Sequence, residues 1–449
     1  METTRRLLGD QAFSARHRAS PQAFTRVRAL PFALVVALIM RKGVKSLQNW
    51  VNEAVGELGG SAVSASAFSK ARYRLRHTAF IELNRKAVVE SLYGDGEYRR
   101  YRGWRLLGID GSKVLLPDRE TVREEFGTIA FSNGKNGALA GERACAMASV
   151  LYDLCNDVAL DARLAHAKAY EVDLAVAHLA HAGPGDLVLA DRNYPSCRML
   201  AELSQRGIDC AIRCSNSSFR QARAMLRGEG ADSQIVEIRP ADGKVGATRK
   251  AGLPTRLRVR FVRVRLSTGE AEVLVTSLLD EGEWPAADFL ELYHQRWGVE
   301  TFYGRLKTRL GLENFSGLGA EAVRQDFFST IYLSGLESLL TAEAQTRLDA
   351  KPTRHPQRVN RAVSFNAIKH NAFDILFGDE DAETIRKRLT ALFLTNPTTY
   401  REGRNPPTQE HLRPRPAQLP PSPAEALLLN TRWLKSMAVT LQRLRKYSV

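Results

Sequence analysis

Tyr293, Arg296, Glu300 and Lys307 stand in the run YHQRWGVETFYGRLK at offsets of 0, 3, 7 and 14 residues. An α-helix turns about 100° per residue, so these four side chains share an arc of roughly 60°. Tyr303 falls just outside that arc. Phe302 and Leu306 take the opposite face, and Leu290, Leu292 and Trp297 offer apolar flanks for a core. The plainest alternative is a solvated face carrying an i,i+4 ion pair between Arg296 and Glu300. On a single continuous helix both Arg296 and Lys307 are expected to point outward.

Two further carboxylates complete a chemical group. Asp110 closes the strand-like run RLLGID, and Asp191 closes GDLVLAD, a short apolar run typical of a central parallel strand. Functional groups of open α/β sheets gather at the carboxyl ends of strands, so neighbouring strands would bring these two acids together. Asp186, at the start of its strand, would lie at the other end. Singly, Asp110 before Gly111 and Asp191 before a loop suit turns or caps. With Glu300 added from a later helix, three carboxylates can converge. They repel one another without a cation. An all-oxygen donor set selects Mg²⁺ or Mn²⁺. Two such ions about 4 Å apart activate a water or a 3′ hydroxyl and stabilise the leaving oxygen of in-line displacement at phosphorus. Arg296 and Lys307 would then hold substrate phosphates, and Tyr293 would donate a hydrogen bond to one.

The elements that must position these residues follow from periodicity. After RLLGID the sequence suggests a turn at DGS and a short extended piece, KVLLP, that is not a separate strand. A Gly/Asn-rich loop, FSNGKNGALAG, precedes a hairpin of ERACAMASVLYDL and VALDARLA joined around Cys155, Asn156 and Asp157. An amphipathic helix in HAKAYEVDLAVAHLAHAG, the strand GDLVLAD, the helix PSCRMLAELSQRG and the strand IDCAIRC give the order β-β-β-α-β-α-β. Residues 215–280 break the alternation with SQIVEIRP, RLRVRFVRVRL and AEVLVTSLLD, an antiparallel insertion whose middle strand is expected to show one basic face.

The flanks read as helical. Residues 1–100 form a basic helical region, in which Lys70, Arg72, Arg74 and Arg76 mark a helix able to enter a DNA groove. A catalytic region spans 101–345. The region 346–449 is again helical, with a Pro/Arg-rich linker at about 405–423 before a last helix.

Composition narrows the partners. Lys+Arg number 65 against 49 Asp+Glu, a net charge of +16, so a polyanion is expected. The longest apolar run, ALPFALVVALIM, is too short to span a bilayer and reads as a buried helix. It also lacks the flanks of a signal peptide, which points to the cytoplasm. Five cysteines without CxxC spacing argue against a disulfide framework or zinc finger. Cys210 and Cys214 are expected in a core strand. No HExxH or HxH cluster suggests a histidine-ligated metal.

The spacing Tyr293, Arg296, Glu300, Lys307 resembles the Tyr-Arg-Glu-Lys signature of bacterial insertion-sequence transposases of the DDE type. LLGIDGS with Asp110 and LVLADRNY with Asp191 resemble their first two acidic motifs, and GLENFSG and VRQDFFSTIYL are similar to segments that follow the lysine. The likeness runs from about Arg105 to Leu340. It implies a ribonuclease-H-like catalytic core interrupted by the β insertion, and cut-and-paste movement of a DNA element by a dimer bound to both terminal inverted repeats and to target DNA. Asp110, Asp191 and Glu300 would be the metal ligands, and Tyr293, Arg296 and Lys307 the phosphate contacts. Some relatives stack a flipped base on an aromatic residue of the insertion, often tryptophan. Here no tryptophan lies between Asp191 and Trp284, leaving Phe219 or Phe261 for that role unless both are core. Two other readings remain open: a DNA-binding protein without catalysis, and a nuclease on the same fold.

Overall fold

Alternating apolar residues in the central strands decide the layering. In the computed structural model, which describes residues 1–26, 29–43, 46–57, 62–132, 139–266, 268–377 and 380–400, Leu106 of β1 (Arg105–Leu115) and Leu187 and Leu189 of β5 (Asp186–Ala190) face one core. Leu107, Ile109, Val188 and Ala190 face another on the opposite side. This period of two, with both faces apolar, is what a sheet covered on both sides requires.

The same sheet holds β2 (Thr128–Ser132), β3 (Leu139–Asp153), β4 (Val158–His166), β6 (Asp209–Arg213), β7 (Ser233–Ile238), β8 (Leu257–Arg265) and β9 (Ala271–Thr276), while Gln357–Val359 and Pro397–Thr399 pair separately. Among the described residues β1–β9 form one mixed sheet in the order β2–β3–β1–β5–β6–β9–β8–β7, with β4 paired to β3. β1, β5 and β6 run parallel, and β3 is antiparallel to β1. β9 joins β6 antiparallel, and β8 and β7 continue the sheet in antiparallel pairs. The protein is thus mixed α/β. The hairpin β3–β4 turns through Cys155–Asp157 as the sequence suggests, with Asp157 at φ 59°.

Several local expectations are corrected. Asp110, Gly111 and Ser112 form no turn: β1 continues through Leu115 because Leu107–Leu115 pair with β3. The stretch between KVLLP and FSNGKNGALAG, for which the sequence suggested no element, holds a helix, Glu120–Phe126, and the start of β2; β2 and β3 extend into the expected loop at Phe131–Ser132 and from Leu139, and residues 133–138 lie outside the described residues. Helices Arg220–Leu226 and Asp242–Lys250 interrupt the strands of 215–280. β8 has no single basic face. Its arginines change parity between Arg260 and Arg263, so Arg258 and Arg260 point to one side and Arg263 and Arg265 to the other. Only Arg258 and Arg265 are exposed. Arg260 is buried and donates to the Trp284 carbonyl, and Arg263 pairs with Asp232 and donates to the Met225 carbonyl.

Residues Met1–Thr399 form one compact unit; the linker at 405–423 and the last helix lie outside the described residues. Within this unit the helix Ala320–Asp349 is the hub. At 30 residues it is about 45 Å long, and buried side chains surround it. Its Phe327, Tyr332 and Leu336 share a core with Phe13, Leu38 and Phe80 of the N-terminal region and with Phe365 and Leu389 of the C-terminal helices. The run FALVVALIM forms a short buried helix, Phe32–Met40. All five cysteines are free thiols, with Cys210 and Cys214 in a core. No helix among the described residues is long and apolar enough to cross a membrane.

Candidate active site

Strand register places the first two acids. The parallel ladder of β1 and β5 ends at Ile109 opposite Ala190, so Asp110 and Asp191 each stand one position past the last pair. Their parity matches Gly108 and Leu189, which puts them on the face covered by the helices of the Tyr293–Lys307 segment. That segment is two helices, Asp288–His294 and Trp297–Thr308, rather than one. At the junction the amides of Arg296, Gly298 and Val299 bond carbonyls three residues back, a tightened 3₁₀-like turn. In such a turn residues three apart eclipse, and the Arg296 guanidinium lies 5.4 Å from the centre of the Tyr293 ring.

This turn changes the character of the stripe. Tyr293 and Arg296 are buried, at 5% and 4% exposure, so Arg296 does not point outward as expected. Conversely Leu290 and Trp297, expected as apolar flanks of a core, are exposed. Arg296 makes the i,i+4 pair with Glu300, Nη1 to Oε1 2.8 Å. Lys307, partly exposed, donates to the Lys113 carbonyl at 2.8 Å and lies 3.8 Å from Glu313.

Close approach of the second helix to the sheet depends on two glycines. A Cβ on Gly108 would overlap Val299 Cγ2, and one on Gly298 would lie 2.8 Å from Leu154 Cδ2. The helix is thereby seated directly on β1, and the Tyr303 hydroxyl donates to the Asp110 carbonyl at 3.2 Å.

The electrostatics of the acids follow from this enclosure. Burial pushes the Asp110 carboxyl up to about 7; the Gly111 amide opposes the rise, Asp191 and Glu300 add to it, and Arg296 counters them. Asp110 Oδ1 accepts from the Gly111 amide and Asp191 Oδ1 from the Asn193 amide, each at 2.8 Å. Three polar atoms of the neighbourhood, the hydroxyls of Tyr194 and Tyr293 and Nε of Arg296, are buried without a hydrogen-bond partner. Among the described residues no three His, Cys, Asp or Glu side chains form a ready-made cation site. The donors at hand are nonetheless carboxylate oxygens, the chemistry a hard divalent ion takes.

Other candidates fare differently. The helix carrying Lys70 ends at Arg72. Arg72 is 2% exposed and donates to Gln325, Ser316, the Ala322 carbonyl and Asp326, so it is a structural clamp; Lys70, Arg74 and Arg76 are exposed. Arg74 and Arg76 lie beyond the helix, in a stretch bonded to the backbone of His17 and Ala19. Phe261 is fully buried and packs edge-on with Phe219, and Trp284 is buried too. Sequence reading missed Tyr194 and the role of Tyr303. Tyr194 stands three residues after Asp191, its amide bonded to the Asp191 carbonyl, and that spacing was the available signal.

Residues 83–333 match the family described as "Transposase DDE domain". Over 192 residues the chain is 27% identical to "Putative transposase InsZ" of Escherichia coli (strain K12), a match covering 42% of this chain and 62% of that relative, so it spans under two thirds of the relative's length. Among solved structures, a piggyBac transposase synaptic complex with hairpin DNA aligns at 10% identity and TM-score 0.44, covering 91% of this chain and 84% of that one. A pre-cleavage Mos1 transpososome aligns at 9% identity and TM-score 0.16, covering 41% and 60%. Neither score is high enough to bear on the fold. The family match takes in β1, β5 and the helix bearing Glu300, and extends over more than half of the chain: the protein belongs to the transposase DDE domain family.

Proposed function

We propose that this protein is a DNA transposase of the insertion-sequence subgroup with the Tyr-Arg-Glu-Lys signature. In this reading it cuts the ends of a mobile element and joins them to target DNA in a divalent-metal-dependent reaction. The strand order β4–β3–β1–β5–β6, three antiparallel strands followed by two parallel ones, supports a ribonuclease-H-like core, with β7–β9 as the insertion before the glutamate. The observation that carries the reading is the register that sets Asp110 and Asp191 side by side, on the face where the helix of Glu300 packs.

Asp110, Asp191 and Glu300 would hold Mg²⁺ or Mn²⁺, as a pair of ions in keeping with two-metal phosphoryl transfer; the ions supply an activated oxygen nucleophile and charge stabilisation at phosphorus. The chain's own residues do the rest. Arg296 holds Glu300 and, stacked on Tyr293, brings a guanidinium to the site. Lys307 presents an ammonium beside the end of β1 where a strand phosphate would pass. Residues 1–100 act as a DNA-binding region through surface cations such as Lys70, Arg74 and Arg76, 101–345 as the catalytic region, and 346–449 as a helical C-terminal region. The partners are terminal inverted repeats, target DNA and a second copy of the chain.

The test is cleavage and joining of labelled end duplexes with Mg²⁺, comparing wild type with Asp110→Asn, Asp191→Asn and Glu300→Gln. Each variant should lose both activities by at least a thousandfold, roughly 4 kcal/mol of barrier, while binding the duplex within about twofold of wild type. Normal cutting by any one of them would refute the site. Cleavage without joining would mark a nuclease, and binding with neither activity a DNA-binding protein.

A further inference from the structure

Away from the carboxylates, a cavity of about 540 Å³ opens between the end of helix Phe32–Met40, the segment after helix Trp297–Thr308, and helix Arg361–His370. A second hollow of about 120 Å³ shares Lys42, Trp50 and Asn314 with it. Arg41, Lys42, Arg309 and Lys369 line the larger cavity against one carboxylate, Glu53. Arg41 and Glu53 already have partners. Lys42 is different. It is 4% exposed, and its ammonium has no hydrogen-bond partner.

Nothing nearby among the described residues satisfies that ammonium. Asp326, the carboxylate whose charge acts on it, is committed to Arg72 and to the amide and hydroxyl of Ser316. The Phe315 ring, 5.4 Å away, offers only a weak cation–π contact. Lys369 adds a like charge, donating at 3.3 Å to the backbone carbonyl of Lys42 itself. Burial lowers the Lys42 ammonium to about 8, with Asp326 opposing. A buried unpaired cation is costly to the fold, and an apolar side chain of the same length would be more stable there. The orphan ammonium borders an open cavity lined by further cations, an arrangement that suits an anionic partner from outside.

We infer that this cavity is a phosphate receptor, with Lys42 and Lys369 as its principal donors, and that it takes a backbone phosphate of bound DNA. The choice of DNA as carrier rests on the function proposed above; the receptor itself does not. Position favours it: Thr308 and Arg309 line the cavity directly after Lys307, and along the helix Glu300 to Arg309 is a rise of about 13 Å, within one turn of duplex DNA.

The test uses the full chain in metal-free buffer, with inorganic pyrophosphate and an end duplex as separate probes. Pyrophosphate should raise the wild-type melting temperature and leave that of Lys42→Met unmoved. Without ligand, Lys42→Met should melt at or above wild type. Its duplex affinity should fall about tenfold, and its plot of log affinity against log salt should be shallower by about 0.9, as expected when one fewer phosphate is neutralised. Lys369→Gln, less buried, should repeat the binding defects and guards against a misfolded Lys42 variant. Equal pyrophosphate shifts in wild type and Lys42→Met would overturn the receptor. So would a lower melting temperature of Lys42→Met with unchanged binding. A pyrophosphate difference with identical duplex affinity and salt slope would assign the cavity to a free phosphate compound and overturn the DNA assignment. Failure of wild type to bind any duplex would defeat the proposed function, while the pyrophosphate comparison would still judge the cavity.

Discussion

Asp110 is held where a carboxylate is least comfortable, largely enclosed and beside two other acids. The sign of its effect on stability follows directly. An unfolded chain releases this proton near pH 4, whereas the folded chain keeps it to about 7. Between those values the folded state binds more protons, so its stability falls as pH rises, and above 7 the full penalty is present. Asp110→Asn should therefore melt a few degrees higher than wild type at pH 8 without metal, with a smaller gain at pH 5. A lower melting temperature at both pH values would mean that the acid is a structural partner. Arg296 carries the opposite expectation. Because it is buried and paired with the half-exposed Glu300, its role is structural as well as chemical.

At the scale of elements, the site depends on how closely one helix lies on one strand. Gly108 and Gly298 remove the side chains that would separate helix Trp297–Thr308 from β1 and from the β3–β4 turn. Gly108→Ala should displace that helix, costing about 1–3 kcal/mol by overpacking. Cleavage should fall by at least tenfold while duplex binding stays close to wild type; retained cleavage would show that the seat of Glu300 tolerates the shift. A second contact fixes the other face. His178 on helix Glu171–His178 joins Asp161 of β4 at 2.7 Å and Ser149 of β3 at 3.0 Å. The three resemble a hydrolytic relay in connectivity, but Ser149 and His178 are sealed from solvent and serve to lock the helix to the sheet.

Across the whole molecule, the N-terminal helices and the long helix Ala320–Asp349 are bound through Arg72. Its guanidinium reaches Gln325 and Asp326, and Gln325 returns hydrogen bonds to the carbonyls of Arg72 and Leu75. All four residues are buried, so removing one partner leaves charge uncompensated. Arg72→Ala should lower stability by about 3–5 kcal/mol, measured by denaturant unfolding. In native-state hydrogen exchange, amides of Phe68–Leu83 should open together with those of β1, since both regions feed one core. Independent, earlier exchange of the N-terminal helices would show that the shared core does not couple them.

Much of this was legible from the chain. The short apolar run of β5, the turn at Cys155–Asp157 and the strands of 233–276 announce themselves through local periodicity, because burying one face of a strand fixes which residues alternate. The spacing of Tyr293, Arg296, Glu300 and Lys307 and the acids Asp110 and Asp191 were equally visible, although Asp110 lies within β1 and not at its end. Tertiary structure decided the fate of the cations and the edges of elements. Arg72 and Arg260 look alike in sequence to exposed arginines, yet their partners stand at Asp326 and the Trp284 carbonyl; Arg296 pairs with Glu300 as its spacing suggested, but the tightened turn buries it. Pairing with β3 straightened the Asp-Gly-Ser stretch that suggested a turn. The physical reason is range: apolar periodicity is a property of neighbours along the chain, whereas whether a charge can be buried depends on a counter-charge or carbonyl that folding delivers from far away.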